Sequence, residues 1–157
     1  MLSRRRFLVF LGSVGAAGVA GVTIGCGGSD ADAMPEIRYG EEPCRHCGMI
    51  IDDPRFAAAR MDQGERHFDD IGCLVENLVE EPAAEGVATW VHDFNTEAWV
   101  AGCDATYVHS TAVKTPMAYG VIAFARREDA NEASMSLPGD IIAWDALAAT
   151  CVAGSAS

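Results

Sequence analysis

The sequence predicts an α+β fold whose two halves are similar and pack together. The strongest local signal is a helix, because apolar residues recur at helical spacing from 71 to 79 and Asp69 or Asp70 offers an N-cap. The helix ends at Glu80-Glu81-Pro82, since proline cannot continue an interior turn. Short segments rich in β-formers lie on both sides of this helix and are separated by turn residues. Helices and strands that alternate irregularly indicate α+β rather than a regular parallel sheet.

The remaining elements are mostly short strands. We predict strands over 49–51, 56–61, 66–68, 89–94, 98–101, 106–110, 118–125 and 141–144, and a short polar helix over 126–135. Pro138-Gly139 ends that second helix.

An internal repeat suggests the two halves. Met49 precedes a Phe-Ala pair by seven residues, and Met117 precedes a second Phe-Ala pair by the same seven. Each copy continues to an aromatic-Asp-x-aliphatic segment, at 68–71 and at 144–147. So few positions can also agree by chance. A true repeat predicts that Met49 and Met117 occupy equivalent places and face one shared site.

The N-terminus is typical of an export signal. Ser3 to Leu8 contain paired arginines before a bulky apolar pair, as in a twin-arginine signal, and an uncharged apolar stretch follows to Ile24. Thr23 to Cys26 are similar to a lipobox, which predicts lipid attachment at Cys26; an uncleaved anchor helix is the alternative. We expect an exported chain, lipid-anchored at the cell membrane on its periplasmic or outer face.

These features divide the chain into four parts. The signal covers 1–25, a flexible tether 26–35, the folded domain 36–148 and a C-terminal tail 149–157. The halves of the domain are expected at about 36–86 and 87–148.

Charge and cysteine content narrow the function classes. The chain has 23 acidic residues against 11 lysines and arginines, which excludes nucleic acid as a partner. Removing Cys26 leaves five cysteines, and an odd number in an exported protein requires at least one unpaired thiol.

The segment Cys44-Arg45-His46-Cys47-Gly48-Met49 carries the most chemistry. It combines two thiols, an imidazole and a thioether, a donor set that suits a soft metal and above all Cu(I). Three alternatives remain open: a Cys44–Cys47 disulfide, a structural zinc site, and a redox pair. Cys73 and Cys103 could complete the zinc site. The residues after Cys47 oppose a helix, which disfavours the redox pair.

Three motifs resemble the NosL family. They are residues 44–49 (Cys-x-x-Cys-Gly-Met), residues 68–73 (Phe-Asp-Asp-Ile-Gly-Cys) and residues 115–120 (Thr-Pro-Met-Ala-Tyr-Gly), on a twin-arginine lipoprotein. The resemblance covers about residues 36 to 148. It implies two related ββαβ halves, similar to part of the organomercurial lyase fold. It also implies a membrane-anchored Cu(I) chaperone, not an enzyme, that helps to mature nitrous oxide reductase.

The same resemblance implies a ligand set. Cys47 and Met49 match the family's Cys-x-Met element, and Met117 matches its second-half methionine, with Cys44 or His46 as a further ligand of Cu(I). Ala118 follows Met117 where the family often has glycine, a change that we expect to be tolerated. Expected partners are nitrous oxide reductase or another exported copper protein, together with membrane copper-delivery components.

Asp69 and Asp70 are better explained as caps of the first helix than as Cu(I) ligands, because hard carboxylates suit Cu(I) poorly. An enzyme alternative, cleavage of a carbon–metal bond as in organomercurial lyase, would use Cys47, Cys73 and Asp70. A third class, a structural lipoprotein with a plain disulfide or zinc site, predicts no copper affinity.

Overall fold

The computed structural model describes residues 34–62, 64–83 and 87–147. The predicted signal, the predicted lipidation residue Cys26, most of the predicted tether and the predicted tail therefore lie outside the described residues. Within the described ranges, no helix has both the length and the apolar character needed to cross a bilayer.

The first half of the fold is a four-stranded antiparallel sheet with one helix. Its strands are β1 (Ala58–Met61), β2 (Glu65–Phe68), β3 (Ala88–His92) and β4 (Trp99–Ala101), in the order β2-β1-β3-β4. Helix α1 (Ile71–Glu80) lies between β2 and β3 in the chain. Small and buried residues on β1 allow it to sit at the centre, with Ala58 and Ala59 fully buried.

The second half repeats this connectivity. Strands β5 (Thr106–His109), β6 (Val121–Phe124) and β7 (Asp140–Ile142) form an antiparallel sheet in the order β6-β5-β7. Helix α2 (Arg127–Ser136) connects β6 to β7. Because the order β2-β1-β3 in the first half matches β6-β5-β7 in the second, the prediction of two related ββαβ halves is confirmed.

The equivalence predicted for the two methionines is wrong. Met49 lies before β1, the first strand of its half, whereas Met117 lies between β5 and β6. The matching loop of the first half is the β1–β2 turn, so the sequence repeat aligned the wrong strands. The first half also extends beyond the boundary expected near residue 87, because β3 pairs with β1.

Most of the predicted elements are present, with shorter bounds. The segment 49–51 forms only a bridge, between Ile50 and Pro43, and residues 144–147 are helical where a strand was expected to end. Asp70 is the N-cap of α1, since its side chain accepts a hydrogen bond from the Gly72 N–H.

The two halves share one hydrophobic core. Residues of both halves meet in a buried cluster that includes Ile71 and Val91 from the first and Tyr107 and Val121 from the second. Asp93 ties the halves together at one edge, because its carboxylate accepts the Ala125 N–H at 2.8 Å. This shared core fixes the position of the N-terminus of α1 relative to the loop that carries Met117.

Candidate metal centre

A tight turn presents the first two cysteines. The Cys44 N–H donates to the Met49 carbonyl at 2.7 Å, and the Gly48 N–H donates to the Cys44 carbonyl at 3.0 Å. Gly48 has a φ of 77°, a left-handed conformation that glycine adopts without steric cost. The Cys-x-x-Cys-Gly sequence therefore encodes the turn itself as well as its thiols.

Four side chains meet at this turn. The sulfurs of Cys44, Cys47 and Cys73 and a carboxylate oxygen of Asp69 all lie within 4.8 Å of one another. Cys44, Cys73 and Asp69 are buried, at 3%, 0% and 2% exposure, and Cys47 is partly exposed. We call these four residues the Cys3Asp cluster. Helix α1 supplies Cys73 from its first turn, and Asp69 directly precedes the N-cap.

The three thiols of the cluster form no disulfide in this structure. Cys44, Cys47 and Cys73 are all free, whereas Cys103 is disulfide-bonded. The alternative of a Cys44–Cys47 disulfide is therefore wrong in this structure, and Cys103 is unavailable as a zinc ligand. An odd set of three thiols in mutual contact leaves one without a partner in any pairing, and a thiol in that state remains able to bind a metal.

The thiols divide into one sulfur that ionises easily and two that do not. A hydrogen bond from the Cys73 thiol lowers the pKa of Cys44 to about 6, although burial acts in the opposite direction. Burial raises the pKa of Cys47 to about 12, and the hydrogen bond to Cys44 raises the pKa of Cys73. The cluster is thus organised around a Cys44 thiolate.

Backbone N–H groups also point at these sulfurs. Those of Cys47 and Asp69 donate to the Cys44 sulfur, and that of Met49 donates to the Cys47 sulfur. Such donors stabilise the thiolate form, which is the form that binds metals. At Cys44 these donors add to the lowering of the thiol pKa, whereas at Cys47 burial outweighs them and the pKa stays raised.

The two neighbouring acids have separate roles. Asp69 accepts a hydrogen bond from the Cys47 thiol at 3.3 Å through Oδ1, and its buried Oδ2 has no hydrogen-bond partner among the described residues. Asp70 is occupied elsewhere, by the Gly72 and Met117 N–H groups, each at 3.0 Å. Asp70 therefore caps the helix as predicted, whereas Asp69 belongs to the cluster, contrary to the expectation that it serves as a cap.

His46 faces away from the cluster, although it was predicted as a possible ligand. Its Nε2 lies 2.9 Å from a Glu76 carboxylate oxygen, and its Nδ1 lies 3.5 Å from a Glu80 oxygen. Both ring nitrogens thus meet carboxylates of α1. His46 fixes the turn against the helix in this arrangement.

The two methionines lie on segments that are tied to the cluster. Met49 is 49% exposed and Met117 is 37% exposed. The Met117 N–H is held by Asp70, the residue after Asp69. Tyr119 packs over Gly72 so closely that a Cβ there would lie 2.0 Å from the Tyr119 ring. The second-half loop is therefore seated on the N-terminus of α1.

A cleft with charged side chains of both signs borders one edge of the centre, because Arg45 and Arg66 line it together with three glutamates. A cleft of about 730 Å³ borders Cys44 and is lined by polar residues that include Glu42, Glu65, Glu81 and His67. His67 is bound on both sides, by Glu42 and by Glu65, each at 2.7 Å. The Glu81 carboxylate is likewise paired, with Arg66 at 2.7 Å.

Comparison with known proteins agrees with these motifs. The sequence model of the NosL family matches residues 37–152. The chain belongs to the NosL family. Its fold is also similar to the crystal structure of the copper chaperone NosL from Shewanella denitrificans, with a TM-score of 0.61 and 16% sequence identity. That match covers 71% of this chain and 93% of the other. No protein with a curated description matches the sequence.

Sequence reasoning about this family member missed two members of the cluster. Cys73 was considered only for the zinc and enzyme alternatives, and Asp69 was interpreted as a cap. Their spacing contained a usable signal, because a residue before the N-cap and a residue in the first helical turn lie at the same end of α1. What the sequence could not show is that the Cys44–Cys47 turn packs against that end.

Proposed function

We propose that this chain is a membrane-anchored Cu(I) chaperone that delivers copper to an exported copper enzyme, with nitrous oxide reductase as the first candidate. The observation that carries the proposal is the set of three free thiols gathered around Cys47. Polarisable sulfur donors at this density match Cu(I) better than a hard cation. Membership of the NosL family and the named function of its structural relative support the same metal.

Copper is the cargo of this site. In the proposal, Cys47 supplies a thiolate once copper displaces its proton, because it is the partly exposed thiol of the three. Met49 and Met117 supply thioethers from the turn and from the second-half loop, and Cys44 is a further thiolate. Such a set leaves room for a ligand of the acceptor protein to attack the bound ion. Copper then moves by ligand exchange and is never released free.

Exposure of the methionines suits transfer to a partner. Met49, Ile50 and Met117 are among the few large apolar side chains that are exposed in the described residues. Methionine-rich apolar patches are adaptable contact surfaces. In the proposal, a lipid at Cys26 keeps these side chains near membrane copper-delivery components and near the exported client.

A Cu(I) titration tests the metal. The full-length chain, reduced and metal-free in detergent, competes with a Cu(I) chelator of known affinity. We expect Cys47→Ser to weaken binding most, and Met49→Leu and Met117→Leu to weaken it less, because thiolate is the stronger ligand. Met135→Leu is the matched control, since Met135 on α2 is 79% exposed. If the three site variants bind as the Met135→Leu control does, the copper site is misassigned.

Delivery needs a separate experiment. The Cu(I)-loaded chain is mixed with metal-free nitrous oxide reductase, and copper in each protein is measured after separation. Transfer faster than from an equal amount of chelated Cu(I) supports the client, whereas equal rates oppose it. Sustained turnover of an organomercurial substrate by the chain would instead overturn the chaperone function and support the enzyme alternative.

A further inference from the structure

The Cys3Asp cluster contains two residues that the proposed copper set does not use, Cys73 and Asp69. Asp69 is 2% exposed, and its Oδ2 has no hydrogen-bond partner among the described residues. An unpaired buried carboxylate oxygen costs free energy unless a cation or a donor satisfies it. Cu(I) is a poor candidate for that role, because a hard oxygen ligand does not match a soft monovalent ion.

The donor atoms of the cluster are close enough together for tetrahedral coordination of one ion. Zinc–sulfur bonds of about 2.3 Å place tetrahedral sulfur ligands about 3.8 Å apart, and a carboxylate oxygen somewhat closer to them. The Cys47 sulfur already lies 3.3 Å from Asp69 Oδ1, and all four donor atoms lie within 4.8 Å of one another. Adjustments of about 1 Å or less therefore close the set around a single ion.

Charge favours a divalent ion. Three thiolates and one carboxylate carry four negative charges in a site where three of the four residues are buried. A divalent cation compensates two of these charges, whereas Cu(I) compensates one, and uncompensated buried charge is costly. The backbone N–H groups that face the Cys44 and Cys47 sulfurs offset part of the remainder.

We propose that Cys44, Cys47, Cys73 and Asp69 form a closed four-ligand site for a divalent thiophilic cation of the zinc class, filled when the chain carries no copper. The Cys-x-x-Cys turn and the first turn of α1 supply the ligands, as in a structural zinc site that joins two segments. Cys47 belongs to both ligand sets, so the two metals exclude each other. That exclusion rests on the proposed copper function, but the divalent site does not.

The test uses one carboxylate variant and one thioether variant. The full-length chain is prepared in detergent, reduced and metal-free, and is titrated with Zn(II) and separately with Cu(I), each against a competing chelator. The variants are Asp69→Asn, which preserves side-chain shape, and Met117→Leu. Asp52→Asn is the control, because Asp52 is an exposed carboxylate outside the cluster. Thermal unfolding of each protein, followed by circular dichroism, verifies the fold.

Each variant should weaken the binding of one metal and leave the affinity for the other nearly unchanged. We expect the parent to bind one equivalent of Zn(II), and Asp69→Asn to weaken Zn(II) at least about 10- to 100-fold, the loss seen even for outer-shell partners. Its Cu(I) affinity should stay within about threefold of the parent. Met117→Leu should leave Zn(II) unchanged and weaken Cu(I). Co(II), as an optical probe of the same site, should give the intense visible bands of tetrahedral thiolate coordination.

Other outcomes separate the two proposals. If Asp69→Asn binds Zn(II) as the Asp52→Asn control does, or weakens both metals equally, the divalent site is wrong. Weak octahedral bands with Co(II) would overturn it as well. If the parent binds Zn(II) but not Cu(I), the divalent site stands and the proposed copper function fails. If the parent binds Cu(I) but not Zn(II), the divalent site fails and the proposed copper function stands.

Discussion

The Asp70 carboxylate joins the two halves of the fold, and its replacement gives the sharpest stability prediction. Oδ1 accepts the Gly72 N–H and Oδ2 accepts the Met117 N–H, each at 3.0 Å, in a side chain with 0% exposure. Asp70→Ala removes an N-cap worth about 1 kcal/mol. It also removes a charge-assisted hydrogen bond worth about 1.5–3 kcal/mol.

The net loss is smaller than the sum of these terms. Burial raises the pKa of Asp70, which means that the surrounding donors do not fully offset the desolvation of its charge. We therefore expect Asp70→Ala to lower the free energy of unfolding by about 2–3 kcal/mol. Asp70→Asn keeps a capping oxygen but turns an amide NH2 toward one of the two N–H groups. Its loss should be about 1–2 kcal/mol.

Urea unfolding of the reduced, metal-free chain measures both values, with Asp52→Ala as an exposed control. The raised pKa also sets the direction of the pH dependence. Because the folded state holds the Asp70 proton to higher pH than the unfolded state does, its ionisation lowers stability as pH rises from the unfolded to the folded pKa. Asp70→Asn should lack this decline. If Asp70→Asn matches the parent within about 0.5 kcal/mol, the bond to Met117 is not a real tie between the halves.

Four further predictions concern single positions. Metal binding at Cys47 must displace its proton, because burial raises the pKa of this thiol to about 12. In chelator competition, Cu(I) affinity should therefore rise about tenfold per pH unit above pH 7. A flat pH profile would refute this. Gly72→Ala should lower the free energy of unfolding in urea by about 1–3 kcal/mol, because the added Cβ would meet the Tyr119 ring. Adding Tyr119→Ala to that variant should recover part of the loss. If the losses of the two single variants simply add in the double variant, the contact is refuted. Ala118→Gly should raise the free energy of unfolding in urea by about 1 kcal/mol, because Ala118 has a φ of 63°, a left-handed conformation that strains any residue except glycine. A loss of stability would contradict this reasoning. Arg60→Met should lower the free energy of unfolding by about 3–5 kcal/mol, because it removes a guanidinium with 2% exposure that pairs with Asp62 and donates to Asn77 and to the Glu81 carbonyl. Urea unfolding measures this loss, and a value below about 1 kcal/mol would show that the pair is replaceable.

The sequence predicts the parts of this fold that depend on local chemistry. Helix α1 and its Asp70 cap follow from periodicity and capping, and the central strands follow from β-forming segments between turns. The repeat predicted two halves but aligned Met49 with Met117. A pattern of so few residues cannot distinguish the loop before a first strand from the loop before a second.

Only part of the metal site was predicted, because only part of it is encoded by neighbouring residues in the chain. Cys44 and Cys47 lie in one turn, so their proximity is encoded locally. Cys73 and Asp69 join them only because α1 packs against that turn, a contact between segments more than twenty residues apart in the chain. The left-handed backbone of Ala118 gives a physical reason for the glycine that the family often has there: it is a strained position that an alanine occupies at a cost.

Partial exposure of a single thiol has a consequence for chemical selectivity. Cys44 and Cys73 are buried at 3% and 0% exposure, so a reagent that reaches the cluster meets Cys47 first. Its high pKa makes Cys47 a slow nucleophile, while the readily ionised Cys44 is shielded behind it. The sulfur that ionises readily, on Cys44, is therefore not the sulfur that solvent reaches, on Cys47. Oxidants that attack exposed thiolates find little to react with, while a metal ion that displaces the proton of Cys47 gains entry to all three.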